Sequence, residues 1–192
     1  MQPTDLDEPA PAAGHDRTAN RPVLIVAGLA VVLLVTVGGV MAAKARRDAD
    51  DAVLAARQAQ VQQNGAQVMP FDQNLTTHQF AKTDTGGVET VTANDPNDAQ
   101  QAKLVQDHLH HERELFATGD FSDPMAIHGH QMPGIADLQR GASSGQVTVT
   151  YEALPAGARL TYTAATPALV DTVHTWFDAQ LMDHGSHAMA SP

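Results

Sequence analysis

An uninterrupted apolar run near the N-terminus constrains this chain more than any other feature of its sequence. Residues 23–43 form a run of 21 positions without a charged side chain. At about 1.5 Å per residue, a helix of this length spans a hydrocarbon layer of roughly 30 Å. A secretory signal peptide has a shorter apolar region, typically about 7–15 residues. The run is therefore predicted to be an uncleaved, single-pass transmembrane helix.

The basic residues that flank this run give opposing indications of its orientation. Arg17 and Arg21 precede the run, whereas Lys44, Arg46 and Arg47 follow it. Because Lys and Arg accumulate on the cytoplasmic side, this count favours a cytoplasmic domain. A short N-terminal tail ahead of a signal anchor commonly stays inside, which favours the opposite orientation. We predict a protein of the cell membrane whose C-terminal domain is extracytoplasmic.

Composition divides the chain into four parts. Residues 1–22 are rich in Pro, Ala and acidic side chains, which predicts a disordered tail. Residues 23–43 form the predicted membrane helix, and residues 44–68, rich in Ala, Gln and Arg, are predicted to be a helical stalk. Residues 69–192 are predicted to form one histidine-rich α+β domain, since about 124 residues suffice for one core but not for two.

Alternating residues and turn signals predict a ββα unit that is used twice. Four short runs have the pattern of strands, at residues 78–82, 88–92, 146–151 and 159–163. A helix with an apolar stripe follows each hairpin, from residue 95 to about 118 and from residue 166 to about 185. The predicted fold class is α+β: an N-terminal transmembrane helix, then a duplicated ββα domain. Its sheet is four-stranded and mostly antiparallel, with two helices on one face and a long loop over residues 120–145.

Charge and composition exclude several classes of function. The chain has a net charge of −11, and from residue 69 onwards five basic against 15 acidic residues leave about −10. Such a surface repels phosphate backbones, so no nucleic-acid partner is expected and cations are the natural small partners. The absence of cysteine excludes disulfides and thiolate chemistry. The sequence has no phosphate-binding glycine loop and no hydrolase or dinucleotide fingerprint, so an enzyme is the least favoured reading.

The histidines suggest a function. Nine of the ten follow the apolar run, several with acidic residues or Met nearby. Imidazole suits zinc and copper, and thioether sulfur selects copper(I). His108 lies on one helix face with His111 and with Glu112, three and four positions on. We therefore predict a transition-metal site for copper or zinc, formed by His108, His111, Glu112, His128, His130 and Met132.

Two alternatives compete with the metal site. The same histidines could form a hydrogen-bonded network that pins the central loop to the helix, in a structural or interaction module of the cell envelope. His78 and His174 stand beside aromatic residues and are predicted to be core or boundary histidines. His184 and His187 are predicted to belong to a solvated tail.

Several short strings resemble a family of small bacterial exported or membrane-anchored, histidine-rich domains of unknown role. The strings are Met-Pro-Phe-Asp at 69–72, Thr-His-Gln-Phe at 77–80, Thr-Gly-Gly-Val at 85–88, Gly-Asp-Phe at 119–121, Met-Pro-Gly at 132–134 and His-Thr-Trp-Phe-Asp-Ala-Gln-Leu at 174–181. The resemblance implies an exported domain. Some members are labelled aspartate carbamoyltransferase, but the Ser-Thr-Arg-Thr-Arg phosphate-binding string of those enzymes is absent here.

Overall fold

The computed structural model describes the backbone of residues 21–191 and the side chains of residues 39–191. Internal contacts divide the chain into two compact units, Met1–Asp50 and Asp51–Pro192. The predicted disordered tail falls almost wholly outside the described residues. The second unit contains the sheet, four of the five helices and the C-terminal part of the first helix.

The first helix, α1, runs over Arg21–Val68. Among the described residues no helix is both long enough and apolar enough to cross a membrane. This finding corrects the predicted fold, which placed a transmembrane helix over residues 23–43. The side chains of residues 23–38 lie outside the described range. Within it, polar side chains appear soon after residue 39: Lys44 pairs with Asp48 at 2.7 Å, and both are exposed.

The sheet is five-stranded and mixed, which corrects the prediction of a four-stranded sheet. Its strands are β1 (Thr76–Thr83), β2 (Gly86–Ala93), β3 (Val147–Leu154), β4 (Gly157–Ala164) and β5 (Ala188–Ala190), in the spatial order β3-β4-β2-β1-β5. The four predicted strands are present with longer bounds, and neighbours among them are antiparallel. The fifth strand, β5, pairs with β1 in parallel.

The short strand β5 forms because the chain reverses sharply after the last helix. Gly185 ends that helix with a φ of +55°, a left-handed conformation that favours glycine. The chain then runs beside β1, where Ala188 is opposite His78 and Ser191 N donates to Phe80 O at 2.8 Å. Three residues are too few to show an alternating pattern, so this strand had no sequence signal.

Four further helices complete the described fold. They are α2 (Ala99–Phe116), α3 (Ser122–His128), α4 (Ile135–Ser143) and α5 (Pro167–His184). Side chains cap the two long ones: Asp98 accepts from Gln101 N at 3.0 Å, and Thr166 accepts from Leu169 N at 3.3 Å. The predicted loop over residues 120–145 contains α3 and α4, which connect the two ββα halves.

The core lies between the sheet and the helices. Its largest fully buried side chains include Trp176 and Phe177 of α5 and Tyr162 of β4. The C-terminal part of α1 belongs to the same core, because Val61 is 1% exposed there. The packed unit therefore includes a segment of the helix that the sequence indicated only as a stalk.

Candidate functional site

A small cavity of about 40 Å³ lies where the sheet meets α2, α3 and α5. Four histidines, three carboxyl groups and one amide line it, from five elements: His78 of β1, Glu89 of β2, His108 and Glu112 of α2, Asp123 and His128 of α3, and Gln180 and His184 of α5. A water molecule needs roughly 10–15 Å³ on this measure, so the cavity has room for about three. This concentration of polar groups at one place in an aliphatic and aromatic core makes it the candidate site.

Four buried polar atoms of the cavity wall have no hydrogen-bond partner among the described residues. They are Nδ1 of His78, both carboxyl oxygens of Glu112, and Oε1 of Gln180. Each of the three residues is 5% exposed. Nε2 of His108 lies 3.8 Å from Oε1 of Glu112, which is beyond hydrogen-bonding distance. Because buried polar atoms are almost always partnered, such a cluster calls for a partner inside the cavity, such as ordered water, an ion or a small polar ligand.

Burial raises the pKa of the two glutamates in the cavity wall. Burial raises the pKa of Glu112 to about 9, and a hydrogen bond with the Asp123 carboxyl acts in the same direction. The two oxygens of Glu112 lack a partner only while the group is ionised, because a carboxylate cannot donate a hydrogen bond to Asp123. Burial also raises the pKa of Glu89 to about 7, although the Tyr162 hydroxyl, which donates to Glu89 at 2.9 Å, acts in the opposite direction. At neutral pH Glu112 is therefore a neutral acid that both donates and accepts a hydrogen bond.

Burial lowers the pKa of three histidines in the cavity wall. Burial lowers the pKa of His78 to about 3 and that of His108 to about 4. Burial also holds the pKa of His184 well below its usual value. The His184 ring stacks on His78 with centroids 4.9 Å apart and touches the His128 ring edge-on at the same separation. These three cavity histidines are thus neutral imidazoles at pH 7, and their nitrogens can accept hydrogen bonds.

An ion-paired cluster holds His128 in place behind the cavity. Nδ1 of His128 lies 2.9 Å from Oδ2 of Asp183, and the guanidinium of Arg57 contacts both carboxylate oxygens at 2.5 and 3.0 Å. Arg57 also donates to the backbone carbonyl of His128 at 2.6 Å. Burial alone would raise the pKa of Asp183, but the bonds from His128 and Arg57 lower it to about 2. A charged Asp183 fixes the ring of His128 and joins α1 to α3 and α5.

The structure brings only part of the predicted metal site together. His108, Glu112 and His128 line the cavity. His111 and His130 are exposed and do not line it. Met132 is buried, and its sulfur accepts from the indole Nε1 of Trp176 at 3.2 Å, so it acts as a core residue.

The prediction that this is a metal-binding protein is therefore wrong for the described residues. In the part of the chain whose side chains are described, no three His, Asp or Glu side chains are positioned to hold a metal ion. The physical reason is that the predicted ligands point in different directions. Two of them face solvent, Met132 packs against Trp176, and His128 is bound to Asp183.

Sequence reasoning missed several of the cavity residues. Glu89 stands at an inward position of β2, and Gln180 lies on the apolar stripe of α5 with Trp176 and Phe177. In both cases the sequence offered one indication: a polar residue occupies a position that the spacing of its apolar neighbours assigns to the buried face. His184 is buried rather than part of a solvated tail. His174 is the predicted boundary histidine: its Nε2 lies 3.0 and 2.9 Å from the carbonyl oxygens of Thr83 and Gly86.

Comparison of the chain with protein-family models, curated proteins and solved structures finds no match. The resemblance to exported histidine-rich domains therefore stays a prediction. The fold and site together define an α+β domain with a small cavity in its core, lined by polar and apolar side chains.

Proposed function

We propose that this domain is a binding module that encloses one small polar ligand in the cavity between the sheet and α2, α3 and α5. One observation supports the proposal above all others. Four buried atoms without partners, on His78, Glu112 and Gln180, line one cavity although they come from three separate elements. A single ligand that hydrogen-bonds to these atoms would provide the partners that they lack.

The size of the cavity limits the ligand. A volume of about 40 Å³ corresponds to roughly three water-sized positions. Cavities that stay empty in proteins are lined by apolar side chains, whereas eight of the fifteen residues that line this one carry imidazole, carboxyl or amide groups. The ligand is therefore polar and has about two to four non-hydrogen atoms.

The energetic cost of the unsatisfied groups also supports a binding role. A buried polar atom without a partner costs about 1–3 kcal/mol, and an apolar residue of the same shape would remove that cost. Proteins tolerate such costs mainly where a function needs the polar group. Gln180 illustrates this, because its neighbours on the buried stripe of α5 are Trp176 and Phe177.

The experiment compares the wild-type full-length chain with Gln180→Leu. Thermal melting is measured with formamide, acetamide or ammonium as polar probes and with xenon as the apolar probe. Polar probes are expected to raise the wild-type melting temperature, because binding to the folded state alone stabilises it. Gln180→Leu is expected to melt higher than wild type without a probe and to lose the response. Gln67→Leu is the control, because Gln67 is exposed.

The proposal is contradicted if xenon stabilises the protein and no polar probe does, or if Gln180→Leu melts lower than wild type and responds like it. Either result would leave the alternative from the sequence, a structural or interaction module. Uptake of copper or zinc, the cofactor prediction from the sequence, is measured in the same screen. Tight stoichiometric uptake that depends on His108 and His128 would also contradict the proposal.

A further inference from the structure

We propose that the ligand of the cavity is a small ammonium-type cation, either ammonium itself or a protonated amine as small as methylamine. This inference rests on the proposed function and specifies its ligand. The supporting observations are the charges of the cavity wall, the kind of atom left without a partner, and the aromatic rings beside the cavity.

The charges of the cavity wall favour a cation. Three carboxyl groups line the cavity, on Glu89, Glu112 and Asp123, and no Lys or Arg side chain does. The guanidinium of Arg57, which contacts His128 behind the cavity, is paired with Asp183. An anion would meet only carboxyl groups and neutral imidazoles. A cation beside Glu112, which is protonated at pH 7.5, would lower the pKa of that carboxyl and release its proton, so that a charged carboxylate faces the bound cation.

The partnerless atoms favour a hydrogen-bond donor. Three of the four are oxygens, on Glu112 and Gln180, and the fourth is an imidazole nitrogen of His78 that can accept a hydrogen bond. Ammonium carries four N–H donors directed to the corners of a tetrahedron. Glu112 and Gln180 are each 5% exposed, so water outside the protein cannot replace the missing donors.

Two aromatic residues also line the cavity. Phe116 and Trp176 line the same cavity, with ring centroids 6.3 Å apart and planes at 87°. The face of an aromatic ring attracts a cation, and indole does so most strongly. Hydrogen bonds and ring contacts tolerate a range of positions, in contrast to the ligand geometry that a zinc or copper ion requires.

The test compares cations at equal ionic strength and pH 7.5, with the full-length chain. Ammonium or methylammonium chloride is expected to raise the melting temperature above that in sodium chloride, by about 5 °C at a hundredfold excess over the dissociation constant. Tetramethylammonium is expected to give no increase, because it is too large for the cavity. Equal melting temperatures in ammonium and sodium chloride would overturn the inference.

The matched variants are Glu112→Gln and Glu114→Gln. The first keeps the shape of the buried side chain but removes its ability to ionise. The second changes a carboxyl that is 58% exposed, two positions along the same helix. Glu112→Gln is expected to weaken ammonium binding at least tenfold, while Glu114→Gln binds like wild type. If Glu112→Gln does not fold, Asp123→Asn, at a half-buried position, takes its place with the same expected weakening.

The outcomes separate this inference from the proposed function. A response to formamide without a response to ammonium overturns the cation and leaves the binding module in place. Ammonium binding that Glu112→Gln or Asp123→Asn leaves unchanged overturns the inference too, because the cation would then bind elsewhere. Stabilisation by xenon alone overturns both.

Discussion

The stability of the domain should fall as the pH rises from 7 to 9, because of Glu112. Burial raises the pKa of this carboxyl from 4.5 to about 9 in the folded protein. Between these two values the folded protein holds a proton that the unfolded chain has released. The stabilisation is therefore complete below pH 4.5 and is lost as the pH rises towards 9, at about 1.4 kcal/mol per pH unit. Between pH 7 and pH 9 the expected loss is about 2 kcal/mol.

Below pH 6.5 the buried histidines oppose the effect of the buried carboxyl groups, so the decline with rising pH is expected only above about pH 6.5. Glu89, with a pKa of about 7, contributes in the same sense as Glu112 between pH 4.5 and 7. The histidines act in the opposite direction. Burial lowers the pKa of His78 and His108 from 6.5 to about 3 and 4, so stability is lost as the pH falls below 6.5. The unfolded chain then binds protons that the folded protein excludes.

The measurement is urea denaturation of the wild-type chain, Glu112→Gln and Glu114→Gln at pH 6.5, 7.5 and 8.5. Wild type and Glu114→Gln should lose stability steadily over this range, whereas Glu112→Gln should stay nearly constant. A constant wild-type stability, or a decline that Glu112→Gln reproduces, would refute the assignment of a buried protonated carboxyl to position 112.

Two further substitutions test the packing around the site. Trp176→Ala should lower the free energy of unfolding by about 3–5 kcal/mol, since the ring is 1% exposed, and a loss below about 1 kcal/mol in urea denaturation would show that this face of α5 is not packed as described. Gly87→Ala should cost about 1–3 kcal/mol, because its Cβ would lie 2.3 Å from Cε2 of Phe177, and an unchanged urea midpoint would show that α5 does not approach β2 so closely.

Local structure of the C-terminal unit could be predicted from the sequence to a large extent. The two hairpins, the two long helices and the α+β class follow from alternation, turn residues and capping residues, which act between neighbours in the chain. Thr166 caps α5 as predicted, whereas α2 begins later than the predicted residue 95 and is capped by Asp98. His108, Glu112 and His128, which were predicted to be metal ligands, all line the cavity.

The segment that contains α3 and α4 was predicted to be a long loop with at most one helical turn, at residues 135–140, because both helices are short. Burial of Ile127, Ile135 and Leu138 against the core stabilises them, and that contact depends on the rest of the fold. The metal site was wrong for a related reason. Spacing on a helix shows which side chains share a face, but it does not show that His111 faces solvent while His108 faces the core.

What the sequence alone determined is the local pattern: where the chain turns, where it forms strands and helices, and that histidine and carboxyl groups would concentrate in one domain. Only the tertiary structure decided that β5 would pair with β1, that Arg57 would bind Asp183, and that His78 and Gln180 would line one cavity. The physical reason is separation along the chain. Arg57 and Asp183 are 126 residues apart, and only the packing of the elements that carry them brings the two side chains together.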